Sequence, residues 1–167
     1  FGADSACGPN ALDTIAGKLK RVALQESSTQ PELKILVVED LDSPRDIICF
    51  YLESLGLGSV FGVRSGREAL ETLERDPKGY SCVITDIRMP ELNGKELIEM
   101  IRGHEKLRHI PVVALTAYGT VDTLIDCLKA GASGFLVKPP KRDDLTRELA
   151  RALRILGDGS SPRLANS

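Results

Sequence analysis

Five short apolar runs, Lys34–Val38, Ser59–Val63, Tyr80–Thr85, Pro111–Leu115 and Gly134–Val137, constrain the fold of this chain more than any other feature. All but the second are near-continuous in Val, Ile, Leu, Ala or Phe, without alternating polar residues. A strand reads this way when both of its faces are covered, as in a parallel sheet. Helical patterns fill the intervals. The first runs from about Pro44 to Leu55, with Ser43 as N-cap, Pro44 at the first helical position and Gly56 as a stop. The others span about Gly66–Asp76, Lys95–His104, Val121–Ala130 and Arg142–Leu156. The last carries Leu145, Leu149, Ala152, Leu153 and Leu156 on one face. Five strands alternating with five helices predict a doubly wound α/β sandwich over residues 34–156.

The flanks have a different composition. Residues 1–33 mix Gly, Ser, Pro and polar residues, an extension or linker interrupted by one amphipathic run. Leu12, Ile15, Leu19 and Val22 recur at helical intervals and predict a helix within 11–25, which either docks on the main domain or continues an upstream coiled coil. It holds fewer than two heptads, too few for an independent coiled coil. Residues 157–167 read as a flexible tail.

Composition excludes several classes of function. A net charge of −2 with no clustered basic surface argues against nucleic acid as a direct partner. With 4% aromatic residues and no Trp, a base-stacking surface is equally unsupported. The longest apolar stretch, Ile110–Val121, reaches only about half a membrane span, so membrane insertion is not expected. The chain does not open with the charged-then-apolar pattern of a signal peptide. Cys7, Cys49, Cys82 and Cys127 lie far apart without C-x-x-C spacing, which points to reduced thiols in a cytoplasmic protein and away from zinc or dithiol chemistry.

The chemistry sits where the apolar runs end. The first run is followed by Glu39 and Asp40, the third by Asp86, the fourth by Thr116 and the fifth by Lys138. In an open parallel sheet, ligands bind beyond the carboxyl ends of the strands, at the point where the winding reverses. Three carboxylates converging there repel one another unless neutralised, and Lys138 offsets only one. A hard divalent cation such as Mg2+ resolves the excess and commonly completes its shell with phosphate oxygens. The set then matches the needs of phosphoryl transfer. Asp86, single and central, is the in-line nucleophile. Glu39 and Asp40 hold the metal, Thr116 donates a hydrogen bond, and Lys138 spreads charge.

At these positions KILVVED, VITDIRMPELNG, ALTA and GASGFLVKP, in this order and spacing, resemble the four signature segments of the receiver domain of two-component response regulators. The resemblance covers about Leu33 to Leu156. It implies a flavodoxin-like sheet of order 2-1-3-4-5 and a phosphorylation-activated switch in place of a turnover enzyme. Asp86 would accept the phosphoryl group from a histidine kinase or a histidine phosphotransfer protein. Mg2+, with Mn2+ as a substitute, would be held by Glu39, Asp40, Asp86 and the main-chain carbonyl of Arg88. Thr116 and Lys138 would contact the phosphoryl group, and Phe135 would be the aromatic switch residue that turns inward and reshapes the surface of the fourth helix, fifth strand and fifth helix.

The chain departs from the family pattern in places. Glu39 stands where Asp is more common, and Pro140 where an aromatic is common. In relatives the bond corresponding to Lys138–Pro139 is cis. Arg88 and Tyr118, each two residues beyond Asp86 and Thr116, fall at positions that tune phosphate lifetime; a bulky Tyr beside a cation predicts slow autodephosphorylation. Two other functions compete: a pseudo-receiver serving only as a binding scaffold, and an Asp-nucleophile phosphatase. The phosphatase needs an acid–base carboxylate where Arg88 stands. With no output module expected after Leu156, the parent is a stand-alone receiver or one excised from a hybrid histidine kinase or multidomain regulator.

Overall fold

A computed structural model describes residues 15–19 and 32–153. The strands are β1 (Leu33–Val38), β2 (Gly58–Val63), β3 (Cys82–Asp86), β4 (Val112–Thr116) and β5 (Gly134–Val137). Between and after them lie α1 (Asp42–Glu53), α2 (Gly66–Arg75), α3 (Gly94–Gly103), α4 (Val121–Ala130) and α5 (Arg142–Ala152). All strands are parallel in the order β2-β1-β3-β4-β5, the order that the resemblance to receiver domains implies. The winding reverses between β1 and β3.

Strand periodicity divides the core in two. Leu36, Val38, Val83, Val112 and Ala114 face a cluster completed by residues of α2, α3 and α4. Ile35, Val37, Cys82, Ile84, Val113 and Leu115 face the opposite cluster, completed by α1 and α5. Both sides of β1, β3 and β4 are therefore dry, which is why their sequences read as unbroken apolar runs. The edge strand β2 exposes Phe61, and its run is the one that looked least regular.

Helix starts follow local capping chemistry. The Ser65 hydroxyl accepts from the Glu68 amide at α2, and the Thr120 hydroxyl accepts from the Thr123 amide at α4. Asn93 and Glu96 form a reciprocal capping box at α3. Gly131 ends α4 in the left-handed conformation at φ 105°.

The start of α1 differs from the sequence expectation. Neither Ser43 nor Pro44 marks it; the helix begins at Asp42 with Leu41 as N-cap and no side-chain cap. Pro44 is tolerated inside the first turn because amides there lack intrahelical acceptors in any case. The Asp42 carboxylate, paired with Arg45, replaces the hydroxyl cap with a charge near the helix N-terminus.

Of the predicted leading helix, Ile15–Leu19 are described and helical, whereas Leu12 and Val22 lie outside the described residues, as do Leu156 and the tail. Leu19 is fully buried in the α1–α5 cluster, and Ile15 packs against it. This segment completes a core and has the burial of a docked element. Leu19→Ala is expected to lower stability by about 3 kcal/mol in urea unfolding, as for a leucine removed from a closed core. A change within experimental error would mean that the leading helix is a free linker.

Candidate functional site

Strand register brings the site together. Val38 is level with Thr85, so Glu39 lies beside Asp86, the last residue of β3. Thr116 closes β4 opposite Val137, and the Lys138 amide donates to the Thr116 carbonyl at 2.8 Å, extending that ladder by one residue. Similarly, the Glu39 amide donates to the Val63 carbonyl at 3.1 Å. Glu39 and Asp86, 47 positions apart in the chain, and Glu39 and Lys138, 99 apart, thus meet because parallel strands end level at one edge.

The acidic cluster is tight and largely shielded from water. One carboxylate oxygen from each of Glu39, Asp40 and Asp86 lies within 4.8 Å of the others. Glu39 and Asp86 are buried, and Asp40 is half-buried. Lys138 bridges two of the three: its ammonium pairs closely with Glu39 and lies 3.2 Å from Asp86 Oδ1. Burial pushes the Glu39 carboxyl above its ordinary value and the Asp86 charge adds to this, against the opposing pull of Lys138 and the Leu41 amide. Burial also works against the Lys138 charge, but the hydrogen bond to Glu39 and the fields of Asp86 and Glu39 outweigh it and leave the ammonium more basic than usual. Two like charges about 4 Å apart at a protein surface interact by roughly 4 kcal/mol, so one ammonium among three carboxylates leaves substantial repulsion.

The donor set suits a hard cation. All three side chains offer oxygen, and the half-buried Asp40 keeps one side open to solvent. Mg2+ uses a few carboxylates and retains open positions for water or phosphate, and these residues fit that demand. Soft nitrogen or sulfur ligands are absent from this cluster.

The remaining predicted site residues are also placed. The Thr116 hydroxyl is occupied locally: it donates to the Tyr118 carbonyl at 2.9 Å and accepts from the Tyr118 amide at 3.1 Å. The Arg88 amide reaches Asp86 Oδ1 at 3.4 Å, and the Arg88 guanidinium lies 4.5 Å from the centre of the exposed Tyr118 ring. Phe135 is half-buried against the α2–α4 cluster. The Lys138–Pro139 bond is cis.

Gly94 contributes more than the turn that the Asn93-Gly94 pair suggests. A Cβ there would fall 2.1 Å from the Asp86 carbonyl oxygen and 2.8 Å from Ile87 Cα, so only glycine lets α3 start hard against the loop that carries Asp86. Its amide donates to the Ile87 carbonyl at 2.9 Å. The Asn93-to-Glu96 capping signal could have placed Gly94 at the first helical position; the close approach to Asp86 depends on tertiary structure.

Removing Lys138 has a predictable pH signature. Because Glu39 binds a proton more tightly folded than unfolded, stability rises as pH falls through its raised value, and more steeply once Lys138 no longer opposes the rise. Lys138→Met in chelator-treated protein is expected to cost on the order of 3 kcal/mol at pH 8. That deficit should shrink toward pH 5 in parallel denaturation curves. A deficit independent of pH would show that Lys138 acts through packing alone.

Residues 35–150 match the response regulator receiver domain family. A two-component response regulator (ORR11) of Oryza sativa subsp. indica is 38% identical over 89% of this chain and 99% of its own. Chemotaxis protein CheY-3 of Vibrio cholerae is 33% identical over 68% of this chain and 86% of its own. Among solved structures, the receiver domain of a sensor histidine kinase (PA1611) of Pseudomonas aeruginosa superposes with TM-score 0.66 at 36% identity, covering 72% of this chain and 97% of that one. That crystal structure has a magnesium ion coordinated in its active-site cleft. By sequence, by topology and by the residues gathered at the carboxyl edge of its sheet, this chain belongs to the receiver domain family of two-component response regulators.

Proposed function

We propose that the domain accepts a phosphoryl group onto Asp86 from the phosphohistidine of a histidine kinase or a phosphotransfer protein. The observation that carries this reading is the meeting of Asp86 with Glu39, Asp40 and Lys138 in one cluster. An Asp86 oxygen attacks phosphorus in line, the phosphorus–nitrogen bond breaks, and the imidazole leaves with the electron pair. Mg2+, or Mn2+ in its place, held by Glu39, Asp40, Asp86 and the Arg88 main-chain carbonyl, would supply charge neutralisation on the phosphoryl oxygens. Lys138, already 3.2 Å from Asp86, is placed to follow the developing charge.

The switch follows from hydrogen-bond arithmetic. Thr116 has one hydroxyl proton, now given to the Tyr118 carbonyl. Donating it to a phosphoryl oxygen releases that carbonyl, so the 117–120 loop must move. Phosphorylation adds about one to two negative charges at this point, enough to favour the exchange. Phe135 turns further inward as the loop closes, and the surface of α4, β5 and α5 changes shape for an output partner.

The alternatives are weaker. A phosphatase of this type needs a proton-donating carboxylate at position 88, where a guanidinium stands. A pseudo-receiver has no use for a complete acidic cluster and its lysine. The free thiols Cys49, Cys82 and Cys127 accord with a cytoplasmic setting; burial pushes the Cys82 thiol up to about 12, so it is chemically inert. No helix among the described residues is long and apolar enough to cross a membrane.

Incubation with acetyl phosphate and Mg2+ should add one phosphate, detectable by intact-protein mass spectrometry, and none in Asp86→Asn or with chelator. Equal labelling of Asp86→Asn would contradict the assignment. In a chase of the labelled protein, the stacked Arg88 and Tyr118 should hinder attacking water and keep the phosphate well beyond seconds; loss within seconds would contradict that role.

A further inference from the structure

The cluster presents Glu39 and Asp40 from a short connection between β1 and α1, and a residue outside the cluster holds that connection. Arg45, the fourth residue of α1, is only 8% exposed despite its charge. Its Nη1 donates to the main-chain carbonyl of Glu39 at 3.0 Å, and its Nη2 pairs with the Asp42 carboxylate. Arg64 approaches the same carboxylate at 3.7 Å. The Arg45 amide meanwhile donates to the Leu41 carbonyl at 3.2 Å. Both ends of this residue therefore grip the backbone that carries the acidic pair.

The path of the side chain is set by β2. A Cβ at Gly62 would lie 3.0 Å from Arg45 Cδ and 3.2 Å from Cγ, so the stem crosses the strand where a side chain has been left out. Gly62 is not in a left-handed conformation, which removes backbone strain as a reason for glycine there. Space for the Arg45 stem, together with Cys49 Sγ at 3.3 Å, is the reason that remains.

We infer that Arg45 is a positioning residue for the cation site, fixing the Glu39–Asp40 peptide so that both carboxylates face the metal, with Gly62 as the gap that admits it. The inference rests on the reading of the acidic cluster as a Mg2+ site. It makes a claim that simple electrostatics opposes. Deleting a cation near a metal site should tighten metal binding through space, whereas deleting a group that orders the ligands should weaken it.

The test is isothermal titration of Mg2+ into the full chain for wild type, Arg45→Met, Arg45→Lys, Gly62→Ala and the core control Leu52→Ala. Arg45→Met should weaken Mg2+ about tenfold, in the range seen when groups that orient metal ligands are removed. Arg45→Lys, able to replace one contact but not both, should fall between, and Gly62→Ala should shift affinity in the same direction by less. Leu52→Ala should lose stability yet keep the wild-type affinity. In metal-free protein, hydrogen exchange at the Leu41 amide, which donates to Glu39 Oε1 at 3.2 Å, should speed up in Arg45→Met and not in Leu52→Ala. Unchanged or tighter Mg2+ binding in Arg45→Met, or equal weakening in Leu52→Ala, would overturn the positioning role while leaving the metal site intact. Absence of Mg2+ binding by the wild type would overturn the metal site itself and this inference with it.

Discussion

Repulsion among the carboxylates of Glu39, Asp40 and Asp86, only partly relieved by Lys138, is the constraint on which the rest of this molecule turns. Folding has no need of such a cluster. It arises because five parallel strands end level, and on the proposed function a cation and a phosphoryl group would discharge it. The surrounding structure is arranged to hold the charges together. Gly94 lets α3 press against the Asp86 loop, the capping box at Asn93 fixes where that helix begins, and the β4–β5 ladder runs one residue further to deliver Lys138.

On the proposed function, the same edge would also sense what occupies it. Thr116 spends its single donor on the loop that follows, which ties the position of residues 117–120 to whatever acceptor lies above the sheet. Lys138 divides its contacts between Glu39 and Asp86, so a new anion on Asp86 competes directly with Glu39 for the ammonium. Neither residue requires a large displacement to respond. Two hydrogen-bond arrangements of comparable energy would suffice, and on the proposed function a phosphoryl group would bias one of them.

Much of this was legible in the chain itself. The five strands and the convergence of Glu39, Asp40, Asp86, Thr116 and Lys138 follow from continuous apolar runs ending in polar residues, a pattern that buried parallel strands impose; the strand order comes from the resemblance to receiver domains. What resisted reading depends on tertiary contact. Ser43-Pro44 has a good local helix start, yet α1 begins at Asp42 because Arg45 and the acidic loop settle the entry. Gly62 and Gly94 look like ordinary strand and turn glycines, and their purpose is visible only when the Arg45 stem and the Asp86 carbonyl are seen against them. The burial of Leu19 is likewise a fact of packing that helical spacing alone leaves open.

One measurement bears most directly on the central claim that the three carboxylates form a single cation site. Substoichiometric Mn2+ added to isotopically labelled protein broadens the amide resonances nearest the bound ion. Residues 39–41 and 86–88 should broaden first, while Leu33 and Cys82, at the opposite ends of their strands, stay sharp. Broadening spread across the exposed acidic residues of α2 and α3, with residues 39–41 and 86–88 spared, would contradict it.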